Sequence, residues 1–264
     1  MADIPTRLGV LEYHDIVSGR PDASGFPGPS AASYKVDHVR FASHLEQLAR
    51  VGPVVLPADG RHAPAQDAIL VTFDDGGVDA LRVAAPLLES HGMRGIFFMT
   101  TGMIGRPGFL DEDQLRELAQ RGHAIGSHSV THPARFSALA REEMLREWRE
   151  SRAALEQVLG AEVRLASVPG GYHSAAAAAT AAEVGIRWLF TSEPSARVTM
   201  TGDCAVVGRF TLRRGSSPAQ ALAFATGRGR ARGVAAVTWT GKKLLKRVAG
   251  PAYLRVRRIA FGDA

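Results

Sequence analysis

The chain has 264 residues, of which 45% are hydrophobic and 22% charged, an ordinary globular balance that excludes wholesale disorder. A single cysteine, Cys204, excludes an intrachain disulfide and a multi-cysteine metal cluster, and 28 Gly and 14 Pro without a fixed period exclude collagen-like and repeat folds. The net charge of +6 sits in one place: Lys242, Lys243, Lys246, Arg247, Arg255, Arg257 and Arg258 outweigh Asp263, and the rest of the chain is neutral, which argues against a basic face wrapped on nucleic acid.

Apolar runs of strand length fall at Leu8–Tyr13, Ile69–Phe73, Gly95–Met99, Ala124–Gly126, Val163–Val168, Arg187–Thr191 and Val234–Trp239. Helical patterns lie between them. Asp37 opens one with Val39, Phe41, Leu45 and Leu48 on a face, and Asp79 opens a second through Leu81, Val83, Leu87 and Leu88. Asp111 and Gln114 have the spacing of a capping box, Ser137 is expected to cap a long helix that Gly160 ends, and Ser174 opens an Ala-rich helix. Seven βα units predict an α/β barrel over residues 1–241, with 242–264 as a basic amphipathic tail bent at Gly250-Pro251. Leu244, Leu245, Val248, Leu254, Ile259 and Phe261 among the seven cations suit peripheral contact with an anionic membrane, or equally a closing helix packed on the barrel. Neither an apolar leader nor an 18-residue apolar span is present, so the expected location is cytoplasmic. The Gly/Pro/Ser-rich stretch 18–33 is a loop placed directly after Tyr13-His14-Asp15, either a lid or a surface insertion.

Two stretches carry chemistry. Ile69–Phe73 ends in Asp74-Asp75-Gly76-Gly77, at the strand end where a βα barrel carries its active site. Adjacent carboxylates there allow one to bind a metal while the other holds a proton, although an acidic turn has the same sequence. Gly126-Ser127-His128-Ser129-Val130-Thr131-His132 also follows a short strand, and one helical turn would set both imidazoles on the same face. Two His and one carboxylate suit one catalytic divalent metal ion, zinc before cobalt, nickel or iron.

TFDDG at 72–76 and SHSVTHP at 127–133 resemble the first two motifs of the polysaccharide deacetylases, the NodB-homology or carbohydrate esterase family 4 proteins. The resemblance implies a distorted (β/α)7 barrel and metal-dependent removal of N-acetyl groups from an amino sugar, with exopolysaccharide biosynthesis as the expected setting. It implies Asp75, His128 and His132 as metal ligands and Asp74 as general base. The third motif of the family, Arg-x-Pro-x-Gly, is matched by Ser167-Val168-Pro169-Gly170-Gly171, so Ser167 replaces the arginine expected to orient Asp74. Pro169, Gly170, Gly171, Tyr172 and His173 are candidate substrate contacts. The family's late catalytic His has no counterpart after His173, but Leu8–Asp15 is similar to that strand, an order that resembles the circularly permuted poly-β-1,6-N-acetylglucosamine deacetylases. His14 is then the expected general acid, because an amide nitrogen must be protonated as it leaves and imidazole titrates near neutrality. The missing arginine leaves open a catalytically weakened glycan-binding or scaffold protein on the same fold. The other histidines, Trp188, Trp239 and Cys204 are read as structural.

Overall fold

The computed structural model describes residues 8–52, 68–171 and 173–241; Tyr172, His62 and the basic stretch 242–264 lie outside them. Strands β1 (Gly9–Tyr13), β2 (Ile16–Val17), β3 (Val36–Asp37), β4 (Ile69–Phe73), β5 (Ile96–Met99), β6 (Ala124–Ser127), β7 (Leu165–Ser167) and β8 (Trp188–Thr191) are followed by β9 (Val198–Thr201), β10 (Cys204–Gly208) and β11 (Phe210–Thr211). The helices are α1 (Pro29–Ala32), α2 (His38–Ala49), α3 (Ala85–Ser90, entered through a wide turn at Ala80–Ala84), α4 (Glu112–Gln120), α5 (Arg141–Leu159), α6 (Ala175–Glu183) and α7 (Pro218–Thr226), with a last helical stretch over 231–241.

The main sheet runs β11-β1-β4-β5-β6-β7-β8-β10-β9, and every pairing in it is parallel except β9 with β10. Residues 204–211 close the curl. Their first half pairs with β8 and their second half with β1, so one continuous stretch bridges the two sides and changes neighbour at Arg209. Counting that stretch once, and leaving aside the antiparallel β9 that only pairs with it, gives seven parallel positions, a distorted (β/α)7 barrel.

The predicted seventh strand, Val234–Trp239, is instead helical. Ala231, Val234, Ala235, Thr238 and Trp239 recur at the spacing of one helix face, and that period overrides the β-branched content that suggested a strand. The seventh position belongs to 204–211. At the helix ends, Asp37 accepts from the Val39 N–H, and Asp111 and Gln114 form the expected capping box. Ser174 accepts from the Ala177 N–H, and Gly160 ends α5 with φ +65°. Ser137 is not the cap of α5; it sits in a short 3₁₀ turn, and α5 starts after Ala140, whose N–H donates to the Glu143 carboxylate.

Alternation along the strands sorts the core. Val10, Leu70, Ile96, Phe98, Leu165, Trp188, Phe190, Ala205 and Val207 pack together inside the barrel. Their neighbours of opposite parity, such as Leu11, Val71 and Phe97, face the helices α2, α3, α4 and α7. Helix α7 lies so close on β1 that a Cβ at Gly9 would run into the Ala225 carbonyl oxygen. Two residues further along the inward parity, towards the C-terminal strand ends, stand Glu12, Thr72, Ser167 and Arg209. The apolar interior is thus a floor, and a polar layer sits on it.

Candidate active site

Arg209 is the centre of that layer. It is fully buried, its guanidinium lies 5.6 Å over the Phe98 ring, and every group around it accepts a hydrogen bond. It grips Asp74 with a two-pronged pair, Nη1 to Oδ1 and Nη2 to Oδ2, both at 2.7 Å. Nη1 also donates to the Thr72 hydroxyl at 3.1 Å, and Nη2 to Ser167 Oγ at 2.8 Å and to Glu12 at 3.0 Å. Nε donates to the Thr191 carbonyl at 3.2 Å. The hydroxyls of Ser192, at 2.6 Å, and Thr211 donate to Glu12. The arginine missing before Pro169 is therefore supplied from the closing stretch, and the small Ser167 leaves room for it.

The second half of the site is strained. Asp75, Ser129 and His132 are the non-glycine residues with positive φ among the described residues, at +78°, +65° and +53°. An L side chain in that region costs on the order of 1 kcal/mol or more, and such strain gathers at working sites. These turns bring His128 Nε2 to 3.6 Å and His132 Nε2 to 3.4 Å from Asp75 Oδ1. The two imidazoles thus converge through a kinked loop, with ring centroids 5.0 Å apart, and not through a helical turn. His128 Nδ1–H donates to the Ser167 carbonyl at 2.9 Å, which leaves Nε2 with its lone pair toward Asp75. Asp75 Oδ1 is buried with no hydrogen-bond partner among the described residues. An orphaned carboxylate oxygen facing two imidazole nitrogens, all within 4.8 Å of one another, fits one divalent cation.

Electrostatics separate the adjacent carboxylates. Burial works to raise the pKa of Asp74, but the Arg209 guanidinium and His128 hold it well below the usual carboxylate range. Burial pushes Asp75 up to about 7, helped by the neighbouring Asp74 and Asp15 charges and opposed by His14. His128 is lowered to about 3, chiefly by burial, and His132 is lowered for the same reason, so both are neutral and able to ligate at pH 7. Glu12, His14 and Asp74 also lie within 4.8 Å of one another, but Arg209 already provides the cation there.

His14 leaves the end of β1 beside Asp74, and its Nδ1 is buried without a hydrogen-bond partner among the described residues. Asp15 does not serve it: that carboxylate accepts from Ser24 Oγ at 3.0 Å and faces the buried Lys35 at 3.8 Å. Lys35 donates to the carbonyls of Pro21, Ser24 and Phe26, and so fixes the 18–33 loop as a wall of the site. Phe26 then packs 4.9 Å from the His132 ring and 5.1 Å from Phe109, while Tyr34 packs 4.6 Å from His14.

Pro169, Gly170 and Gly171 form a turn under the His132 loop. A Cβ at Gly171 would run into Ser192 Oγ, and one at Gly170 would meet the Ala134 carbonyl oxygen at 2.9 Å, so these glycines serve close backbone packing. His173 makes no contact with the cluster among the described residues, and Tyr172 lies outside them. Trp188 and Trp148 are core residues, and burial raises the Cys204 thiol to about 12, far from a nucleophile. Sequence reasoning missed Arg209 and Glu12. Their signal is a single charge inside an apolar strand, in VVGRF and in VLEY, which a barrel interior tolerates only when paired.

A family model described as polysaccharide deacetylase matches residues 61–189. A protein named putative polysaccharide deacetylase YxkH, of Bacillus subtilis, is 28% identical over 201 residues, which span 73% of this chain and 67% of that one. Among solved structures, IcaB from Ammonifex degensii is 25% identical with a TM-score of 0.67, over 86% of this chain and 100% of that one. The Streptococcus pyogenes deacetylase PplD, solved with acetate, shares the fold at 21% identity and a TM-score of 0.65, over 81% of this chain and 96% of that one. No helix among the described residues is long and apolar enough to cross a membrane.

Proposed function

We propose that the chain, which a polysaccharide deacetylase family model matches over residues 61–189, is a member of that family and a metal-dependent hydrolase that removes the N-acetyl group from an amino sugar. The observation that carries this reading is the pairing of a saturated, ionised Asp74 with a strained and unsatisfied trio, Asp75, His128 and His132. That trio would hold one divalent ion, zinc first. A bound ion would polarise the acetamide carbonyl and make water more acidic, towards a pKa of roughly 7 for zinc.

The chain's own residues account for the proton movements. Asp74 takes a proton from the water whose oxygen adds to the acetamide carbon. Arg209 keeps that carboxylate ionised and fixed in direction, at some cost in basicity, so its service is orientation more than strength. His14 gives a proton to the nitrogen as the C–N bond breaks; the free amine and acetate leave, and Asp74 and solvent return the proton balance. Burial under the Phe26 wall limits water around the reacting group. The alternative of a weakened glycan-binding protein loses its ground, because Asp74 has a guanidinium partner after all.

Activity is read as acetate release, beside metal content. Asp74→Asn keeps its metal and loses about 10²- to 10⁴-fold in turnover, the usual value of a general base. His128→Ala, His132→Ala and Asp75→Asn lose metal and activity together. If Asp74→Asn strips the metal while Asp75→Asn retains it, the two roles are reversed. A metal-loaded His14→Asn variant with wild-type acetate release would remove His14 from the mechanism.

A further inference from the structure

A second space opens beside the site. A cavity of about 460 Å³ lies between the loops after β8 and β11, helix α7 and the 231–241 helix, within the size range of small-molecule sites. Its floor includes Ser192 and Thr211, the two hydroxyls that donate to Glu12, so it adjoins the polar layer directly. Its wall is mostly hydrocarbon, from Phe224, Ala231, Val234 and Ala235 with Trp239 beside them, and Ser216, Gln220 and Thr238 are its polar members.

One cation marks the entrance. Arg213 is exposed there, and no carboxylate pairs with it among the described residues. Its guanidinium stacks 4.2 Å over the Tyr34 ring and donates to the Tyr34 hydroxyl at 2.8 Å. Tyr34 in turn packs on His14. An unbroken His14–Tyr34–Arg213 stack therefore runs from the candidate acid to the mouth of the cavity.

Direction follows from chemistry. His14 must face the leaving nitrogen, so the sugar ring lies on the His14 and Tyr34 side, and whatever the sugar carries projects towards Arg213. We propose that the cavity binds the aglycone of the substrate, an N-acetylated amino sugar joined through a phosphate to a hydrocarbon chain. Arg213 takes the phosphate by its two-pronged donor geometry, and the apolar wall takes the chain. A neighbouring acidic sugar would also supply an anion, and Ser216, Gln220 and Thr238 could pair some of its hydroxyls, but it would leave Phe224, Ala231, Val234 and Ala235 covered by polar groups, whereas a hydrocarbon chain matches them. The inference rests on the deacetylase reading for its direction, and not for its binding chemistry.

Calorimetry on the full chain with geranyl phosphate tests the binding without any reaction. Geranyl phosphate binds, and geraniol and inorganic phosphate each bind at least about tenfold more weakly, since each lacks one half of the recognition. Arg213→Glu at the exposed mouth and Ala235→Trp in the wall each weaken geranyl phosphate binding about tenfold or more, with Arg213→Lys between them and wild type. No binding by wild type, or equal binding by the variants with wild-type thermal midpoints, overturns the proposal; so does stronger binding of uridine monophosphate, which would make the cavity a nucleotide site. Acetate release separates the two readings. If geranyl phosphate binds through Arg213 but no N-acetylated sugar yields acetate, the deacetylase reading fails and the cavity assignment stands. If neutral N-acetylglucosamine oligomers yield acetate equally in wild type and Arg213→Glu while geranyl phosphate does not bind, the reverse holds.

Discussion

Asp74 and Asp75 are neighbours in sequence and opposites in structure. Asp74 has both oxygens held by Arg209, a further hydroxyl from Ser167, and ordinary backbone geometry. Asp75 has a positive φ, a buried oxygen without a hydrogen-bond partner among the described residues, and two neutral imidazoles facing it. The protein completes the first carboxylate with its own cation and leaves the second to be completed from outside. Among the described residues, non-glycine positive φ falls on the unfinished side alone. That asymmetry gives two adjacent aspartates two different tasks, because burial acts on both and only one receives a guanidinium.

Removing Arg209 should erase the contrast and has the largest expected effect. Arg209→Met leaves Asp74 and Glu12 as buried carboxylates without a cation, a loss of about 3–5 kcal/mol in urea unfolding. Restoring the guanidinium from the other side is the sharper form of the test. Arg209→Met with Ser167→Arg puts the arginine back before Pro169, where the family motif expects it, and should regain part of both stability and acetate release. If Arg209→Met unfolds like wild type, Asp74 is not held as described.

The strain on the Asp75 side is measurable by itself. His132→Ala and His132→Gly remove the same imidazole and should lose the same metal. Glycine meets no Cβ penalty at φ +53°, so in metal-free protein the Gly variant should be more stable than the Ala variant by about 1 kcal/mol. Thermal midpoints in chelator compare them. An Ala variant equal to or more stable than Gly would show that the loop carries no strain, and the contrast with Asp74 would shrink to hydrogen bonding.

How much of this was legible follows the range of each signal. The DDGG and HSVTH stretches could be read because chemistry concentrates there over a few residues, and six strands could be read because apolar runs mark them. Arg209 could not be assigned, because its partners lie 135 and 197 residues away in sequence, and only closure of the barrel joins them. The 231–241 helix reads as a strand in the sequence because Val234 and Val237 suggest β structure, while the helical face is defined by what it covers. The sequence leaves the 18–33 loop open between a lid and a surface insertion, because what fixes it against the site is the convergence of three of its carbonyls on Lys35, which only the fold creates.

A surface carboxylate calibrates the buried one, and its removal should have the smallest effect. Glu89 also receives a two-pronged arginine, with Arg121 Nε at 2.9 Å and Nη2 at 2.7 Å, and the His123 Nε2–H donates to it at 2.9 Å. Its side chain is a quarter exposed, so water competes with each of these contacts. Arg121 draws its pKa down to about 2, burial opposes that shift, and His123 adds to it. Burial outweighs Glu89 at His123 and lowers its pKa, so that imidazole donates as a neutral group at pH 7 while its Nδ1 accepts from the Gly95 N–H. A carboxylate depressed on folding contributes stability above its unfolded pKa, near 4.5, and loses it as pH falls towards 2. Glu89→Gln should therefore cost about 0.5–1 kcal/mol at pH 7, in the range of partly exposed ion pairs. The gap between wild type and variant in urea midpoints should narrow steadily between pH 4.5 and pH 2. A gap that stays constant across that window would mean that the glutamate acts through packing, and the difference between a guanidinium in water and one sealed beneath Asp74 would need another measure.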